Sequence, residues 1–192
     1  MGRIVVTEFI SLDGVIEDPG GAEDYEHSGW SFEFERGEDG NKFKLDETLD
    51  SEALLLGRVT FEGFADAWPS REGEFADKFN NMPKYVVSTT LKNPGWNNST
   101  VLDGDVVDAV SKLKQQVDGE IAVYASYQLV RTLIEHDLVD ELRLIVFPVV
   151  LGSGKRLFGE TGAKRPLRLV DSRTVGEGVG ILVYQPVNAA GE

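Results

Sequence analysis

The chain has 192 residues, of which 41% are hydrophobic and 27% charged, with a formal net charge of −14 and no cysteine. This length suits one domain with a sizeable core, so we predict a single domain over residues 1–192. The acidic balance disfavours nucleic acid as a partner, since phosphate binding requires a basic face. The absence of cysteine excludes disulfides, thiolate nucleophiles and zinc–thiolate sites.

Membrane insertion and export are also disfavoured. No stretch of the sequence is apolar over the length that spanning a bilayer requires, and the N-terminal segment is too polar for a secretory signal. We therefore expect a cytoplasmic protein that has no membrane partner.

Apolar strands alternate with amphipathic helices along the first 150 residues. Arg3–Ser11 is rich in β-branched residues and precedes the turn residues Asp13 and Gly14, which indicates a strand. A long acidic loop follows at residues 17–38. The pattern then predicts, in turn, a helix, strand, helix, strand, helix, strand and helix at residues 41–50, 53–56, 58–67, 84–88, 106–117, 121–124 and 126–138.

The C-terminal part is typical of strands alone. Residues 142–150 form an apolar strand that Pro148 interrupts, and strands at 167–175 and 179–187 are joined by Gly-Glu-Gly, which favours a hairpin. The alternation before them favours a mostly parallel sheet covered on both faces. We therefore predict an α/β fold of three layers, α/β/α, whose mixed central sheet ends in an antiparallel hairpin.

Small and hydroxyl-bearing residues follow four of the predicted strands. Gly57, Arg58 and Thr60 stand at a strand-to-helix junction, where free N–H groups attract an anion and arginine adds donors. The other strand-end residues are Ser88, Thr89, Ala125, Ser126, Gly152 and Gly154. Taken singly, the first three are better explained as a tight turn with a solvated arginine, and Ser88 and Thr89 are also explained as turn or helix caps. Together they favour an anionic, dinucleotide ligand, because open α/β sheets bind ligands at strand ends.

The sequence offers little for a metal. Its two histidines, His27 and His136, have no partner at ligand spacing. We expect no catalytic metal.

Four segments resemble the dihydrofolate reductase superfamily. They are SLDGVI at 11–16, LLLGRVTFEGF at 54–64 followed by Trp68-Pro69, KYVVS at 84–88, and LVDELRLIVFPVVLGSGKRLF at 138–158. The closer resemblance is to the reductase domain of the bifunctional riboflavin-biosynthesis deaminase–reductase and its stand-alone relatives. It spans nearly the whole chain and implies a dihydrofolate-reductase-like fold, NADPH as cofactor and a homodimer.

The resemblance assigns the strand-end residues to successive parts of NADPH. Those expected at the pyrophosphate, 2′-phosphate and adenosine are Gly57, Arg58, Thr60, Ser88 and Thr89. Ala125 and Ser126 would lie against the pyrophosphate, where the family usually has Gly-Gly or Gly-Ser. Those expected on the nicotinamide side are Leu151, Gly152 and Gly154.

Three further residues are candidates for contact with the substrate. Asp13 is the only strand-end carboxylate in a matching motif, so it is the candidate to bind substrate or relay a proton, with an Asp-Gly turn as the alternative. Trp30 and Trp68 are candidates to stack on a pyrimidine or pterin, with packing as the alternative for Trp68.

Three functions stay open on this basis. The leading one is an NADPH-dependent reductase that resembles 5-amino-6-(5-phosphoribosylamino)uracil reductase, although the acidic loop offers only Arg36 to a substrate phosphate. The second is a dihydrofolate or pterin reductase, which residues 41–50 match poorly. The third is a non-enzymatic nucleotide-binding homo-oligomer, which Ala125 keeps open. The lack of cysteine excludes the zinc-dependent deaminase half of the bifunctional enzyme.

Overall fold

A mixed eight-stranded sheet runs through the molecule, as seen in a computed structural model that describes residues 1–159 and 163–187. Its strands are, in chain order, β1 (Arg3–Ser11), β2 (Ser51–Gly57), β3 (Lys84–Val87), β4 (Ser99–Leu102), β5 (Glu120–Tyr124), β6 (Glu141–Phe147), β7 (Leu167–Val175) and β8 (Val179–Pro186). Across the sheet they lie in the order β4-β3-β2-β5-β1-β6-β8-β7. The first six strands are parallel, whereas β8 is antiparallel to both β6 and β7.

Helices cover both faces of this sheet. They are α1 (Gly37–Asp50), α2 (Arg58–Ala67), α3 (Glu74–Asn81), α4 (Val106–Gln116) and α5 (Tyr127–Glu135), with a short 3-10 helix at Trp30–Glu33. Strand β2 shows why the layers form, since Ala53 and Leu55 pack in one apolar cluster with α4 and α5, and Leu54 and Leu56 in another with α2 and α3. A strand buried on both faces is typical of a parallel sheet. The predicted α/β fold with a terminal antiparallel hairpin is confirmed.

Some element boundaries differ from those predicted. Strand β4 and helix α3 were missed, since Ser99–Leu102 is short and half polar and α3 buries only Ala76 and Phe79. Helix α5 ends at Glu135 rather than residue 138, because Asp137 has a φ of 55°, which a right-handed helix does not accommodate. Strand β6 ends at Phe147, immediately before Pro148, whose ring nitrogen cannot donate to a ladder.

The acidic loop after β1 folds back onto the segment after β6. The backbone N–H of Ile16 donates to Lys155 O (2.9 Å), and that of Leu157 donates to Gly14 O (3.0 Å). The Lys155 ammonium adds an ion pair with Glu17 (2.9 Å). The loop therefore lies at the same sheet edge as the carboxyl ends of β1 and β6. In the part of the chain that the structure describes, no helix combines the length and apolar composition that crossing a bilayer requires.

Candidate active site

Five of the parallel strands bring chemically useful residues to one edge of the sheet at their carboxyl ends, in the order β3, β2, β5, β1 and β6. The register places Gly57 beside Val87 and Ser11 beside Phe147, so the loops that follow lie side by side. We call these loops, residues 88–90, 57–60, 125–126, 11–13 and 148–154, the strand-end strip. Neighbouring strands are about 4.8 Å apart, so the four intervals extend over about 19 Å. All the predicted cofactor residues belong to this strip.

Two helices begin in the middle of the strip without a side-chain cap. Helix α2 starts after Gly57, which has no side chain to cap it, and α5 starts after Ser126, whose side chain makes no hydrogen bond to the first backbone N–H groups. Those N–H groups have no partner within their own helix and carry the positive end of the helix dipole. The arrangement therefore offers two neighbouring positive helix ends to an anion.

Ser126 joins these two helix ends. Its hydroxyl oxygen accepts the backbone N–H of Gly57 (2.9 Å), and its hydroxyl donates to Thr60 Oγ1 (2.9 Å). Ala125 and Ser126 both adopt the left-handed conformation, with φ of 48° and 57°. Side-chain-bearing residues adopt this conformation at a cost that glycine avoids. Alanine and serine thus adopt, in this turn, a left-handed backbone conformation that is usually formed by glycine.

Arg58 and the residues after β3 lie together at one end of the strip. The Arg58 guanidinium donates to Glu62 Oε2 (2.8 Å), and both side chains are about half exposed. Such an exposed pair contributes little free energy, so an incoming anion competes with Glu62 for Arg58. Ser88 is buried, and its Oγ accepts the backbone N–H groups of Thr90 and Leu91, which is the turn-capping role. Thr89 is exposed.

Asp13 fastens the loop after β6 to the end of β1. Its carboxylate accepts the backbone N–H groups of Leu151 (3.0 Å) and Gly152 (2.8 Å), and the Ser11 hydroxyl (2.7 Å). The Ser11 hydrogen bond, helped by the two amides, holds the pKa of the Asp13 carboxyl well below its usual value. An acid that is ionised throughout the neutral range has no proton to donate. These contacts therefore favour positioning over the predicted proton relay.

Gly154 lies beneath the acidic loop. Its φ is 111°, and a Cβ there would come within 2.8 Å of Val15 Cγ1 and 2.9 Å of the Tyr25 hydroxyl. The Tyr25 hydroxyl donates to Ser153 O (2.9 Å) across the same contact. Gly152, by contrast, has open space around its Cα and a φ of 82°. Of the two glycines, Gly152 is therefore the one that leaves room for a ligand.

The structure corrects the prediction for Trp30 and gives Trp68 the contacts of its packing alternative. Trp30 is 1% exposed, packs edge-on against Phe147 (5.4 Å between ring centroids) and donates its Nε1–H to Glu17 O (2.8 Å). Trp68 lies at the far end of α2, with Phe75 stacked on its ring (5.1 Å) and Arg71 over it (4.4 Å). Trp30 is buried and therefore serves packing, and the contacts of the half-buried Trp68 ring agree with the packing alternative.

Sequence reasoning missed Glu8, which lies directly beneath the Ala125 turn. Thr7 pairs with Tyr124, so the next residue on each strand, Glu8 and Ala125, are neighbours. Glu8 is 5% exposed and its carboxyl group interacts with the backbone N–H of Ala125. Burial raises the pKa of this carboxyl well above its usual value. The available signal was a lone carboxylate within the apolar run of β1.

An open pocket of about 620 Å³ adjoins the strip at its β6 end. Three cations line it, Arg131, Lys155 and Arg156, together with Tyr127 and Phe158. Arg131 has no carboxylate partner within residues 1–159 and 163–187, and donates instead to the carbonyl oxygens of Leu157 (3.2 Å) and Arg156 (2.5 Å). Across those same residues, no cluster of three or more His, Asp or Glu side chains is arranged to hold a metal. Lys155 is paired with Glu17 and Glu23, and Arg156 with Asp13, so Arg131 is the cation through which the pocket suits an anionic group.

Comparisons with known proteins agree with this geometry. Residues 3–181 match the model of the RibD C-terminal domain. The chain is 31% identical to the uncharacterized Bacillus subtilis protein YyaP over 95% of its own length and 94% of that protein. It is 28% identical to the uncharacterized B. subtilis protein YwjB, over 88% and 90% of the two chains.

Solved structures share the fold at lower identity. A protein from Shewanella sp. PV-4 named for riboflavin biosynthesis superposes with a TM-score of 0.75 at 21% identity, over 97% of this chain and 99% of that one. A pyrimidine reductase-like protein from Corynebacterium diphtheriae superposes with a TM-score of 0.63 at 12% identity, over 97% and 92%. The chain belongs to the family of the RibD C-terminal domain, the reductase-like domain of riboflavin biosynthesis.

Proposed function

We propose that this protein is an NADPH-dependent reductase that transfers a hydride to a small heterocyclic or ribosylamine substrate, as 5-amino-6-(5-phosphoribosylamino)uracil reductase does. The observation that carries the proposal is the pair of uncapped helix ends, α2 and α5, which Ser126 joins in the middle of the strand-end strip. A pyrophosphate group suits this position, since free N–H groups and helix dipoles both favour an anion there.

The remaining residues of the strip fit the other parts of NADPH. Arg58 and Thr89 lie at the β2–β3 end, where a cation and a hydroxyl suit the 2′-phosphate. Gly152 leaves space at the β6 end, where the nicotinamide would lie. NADPH supplies the hydride when it is bound, and the protein orients it. We propose that Asp13 holds the Leu151–Gly152 backbone that borders this position.

The pocket beside β6 supports a substrate that carries an anionic group. Arg131, Lys155 and Arg156 surround it at the expected nicotinamide end. Lys155 and Arg156 are paired with carboxylates, so Arg131 is the cation that offsets the shortage of positive charge in the acidic loop, where Arg36 is half-buried over the Phe9 ring at 4.8 Å. A phosphorylated ribosylamine is consistent with the reductase family, and its phosphate suits this pocket. We therefore favour it over dihydrofolate as the substrate.

A nucleotide titration with two matched variants tests the cofactor assignment. Gly57 has a φ of −74°, and a Cβ there would meet only Ser126, at an ordinary 3.5 Å, so the protein itself accepts Gly57→Ala. We expect that methyl group to block close approach of the pyrophosphate and to weaken NADPH binding about tenfold, the scale of an overpacked contact. Gly63→Ala, in the same helix and with nothing within 4 Å, is the control and should bind as the wild type does.

The outcomes of this titration are distinct. Fluorescence that shows no binding of either NADPH or NADH to the wild type would refute the reductase proposal. Equal NADPH affinities of the Gly57→Ala and Gly63→Ala variants would show that the pyrophosphate does not lie against Gly57. A turnover screen with the phosphoribosylaminopyrimidine and with dihydrofolate then separates the riboflavin-type from the pterin-type reductase, and binding without turnover of either supports the non-enzymatic alternative.

We further propose that two copies of the chain pair along β7. This strand is the last in the sheet, and among the described residues no strand pairs with the outer side of its backbone. It exposes three apolar side chains at 40–48%, those of Leu167, Leu169 and Val170. An unpaired apolar edge strand is a template for association. Sedimentation of a monomer at micromolar concentration would contradict this homodimer.

A further inference from the structure

The buried carboxyl group of Glu8 has no good partner for a negative charge. Its Oε1 atom is inaccessible and makes no hydrogen bond in residues 1–159 and 163–187. The charge that acts on it is that of Lys44 on α1, which is itself paired with Glu47. Burial outweighs both Lys44 and the Ala125 N–H, and it raises the pKa of Glu8. The neutral acid is therefore the form that suits this site, since an unpaired buried charge is far more costly than an unpaired neutral oxygen.

The turn above Glu8 depends on support from its surroundings. Two consecutive non-glycine residues, Ala125 and Ser126, are left-handed there, and such strain persists only where neighbouring contacts enforce it. The Ser126 side chain is held by Gly57 and Thr60. The Ala125 side chain is a methyl group with no polar contact to make, so its backbone N–H and the Glu8 carboxyl below it provide the second anchor.

We propose that Glu8, in its neutral protonated form, is a positioning residue that holds the Ala125–Ser126 turn in the shape that receives the pyrophosphate, so that NADPH binding is coupled to retention of one proton on Glu8. The inference rests on the proposed function. Ionisation of Glu8 would place a negative charge directly behind the turn, and that charge would repel the anionic ligand.

Two other titratable groups on the neighbouring elements have shifted pKa values. Burial lowers the pKa of the Lys44 ammonium on α1 and raises the pKa of the Tyr124 phenol, the residue before Ala125. The phenol thus stays neutral through the neutral range, whereas Lys44 is a second group whose charge acts on Glu8. The test therefore compares variants of Glu8 in a background where Lys44 is unchanged.

The first test is the pH profile of NADPH affinity in Glu8→Gln, which retains an oxygen acceptor for Ala125 but cannot ionise. We expect wild-type affinity to fall by up to about tenfold per pH unit once pH exceeds the Glu8 pKa, because binding then requires uptake of a proton. The glutamine variant should keep its low-pH affinity throughout. Parallel profiles for the two proteins would overturn the coupling.

The second test is rescue by glycine. Glu8→Leu removes the acceptor under Ala125 and should weaken NADPH binding about tenfold at low pH, the effect of losing one buried hydrogen bond. Adding Ala125→Gly to that variant should restore most of the loss, because glycine adopts a φ of 48° without strain. If Ala125→Gly changed the affinity by the same factor in the wild type and in the Glu8→Leu variant, the two positions would act independently, which would contradict the positioning role.

A third measurement needs no cofactor and separates failure of this inference from failure of the proposed function. With a folded pKa above the usual 4.5, Glu8 keeps a proton that the unfolded chain releases, so the free energy of unfolding should fall as pH rises from 4.5 through the raised pKa. That fall should be smaller in Glu8→Gln. Identical pH dependence of unfolding would overturn the protonated Glu8, whereas a wild type that shows the difference but binds no nucleotide would refute only the reductase.

Discussion

Helices α4 and α5 both follow a parallel strand and start at the same edge of the sheet, yet their first turns are completed differently. Before α4, the Asp105 carboxylate accepts the backbone N–H groups of Val107 and Asp108, both at 3.0 Å. Before α5, Ser126 turns its hydroxyl away to Gly57 and Thr60 and leaves its own helix uncapped. The N-terminus of α4 is therefore capped by a side chain, whereas the N-terminus of α5 is open to an anion.

We expect the largest change in NADPH affinity from the loss of Arg58, the cation beside the open helix ends. A hydrogen bond to a charged group contributes about 1.5–3 kcal/mol. Arg58→Ala should therefore weaken NADPH binding by about 10- to 100-fold while changing NADH binding little, as measured by fluorescence titration. Equal losses for the two nucleotides would show that Arg58 does not meet the 2′-phosphate.

A smaller effect is expected at the capped helix end. Asp105→Ala should lower the free energy of unfolding by about 1 kcal/mol, the usual contribution of an N-cap, and leave NADPH affinity unchanged. Chemical denaturation and nucleotide titration of the same preparation measure both quantities. A variant that loses nucleotide affinity would remove the distinction between the α4 and α5 ends.

The smallest expected effect concerns Glu62, which competes for Arg58. Glu62→Gln should tighten NADPH binding about twofold, because an exposed ion pair of this type contributes about 0.3–0.5 kcal/mol. Glu72→Gln, an equal change of net charge at another exposed acid, is the control for long-range electrostatics. A twofold gain in both variants would attribute the effect to net charge rather than to release of Arg58.

Much of the fold and the location of the site could be predicted from local sequence patterns and from general rules of sheet topology. The bounds of β1 and β7 match the predicted ones, since an apolar β-branched run and a hairpin turn mark them locally. The strand-end strip was predictable because parallel strands must end at one edge, whichever order they take. Strand β4 was not, because its four residues become a strand only by pairing with β3.

Side-chain roles depended on contacts between distant parts of the chain. From its residue type, Trp30 is equally suited to a pocket wall or a core. It lies in the core because the acidic loop folds back and the Glu17 carbonyl oxygen accepts its Nε1–H. Ser126 has the residue type of an N-cap and stands at that position, but its left-handed backbone and the nearby Gly57 direct its hydroxyl to another helix. Glu8 acquires its role from Ala125, which only the sheet register brings to it.

The reversal of strand direction at β8 sets a limit on what the sheet edge can accommodate. Next to β6 this edge presents the amino end of β8 and the turn that joins β7 to it, where Glu177 N–H donates to Glu35 O (2.8 Å). On the opposite side, the edge ends at α4 with its satisfied N-terminus. The strand-end strip is thus bounded on one side by the β7–β8 turn and on the other by the capped end of α4. We therefore expect it to select ligands by length as well as by charge.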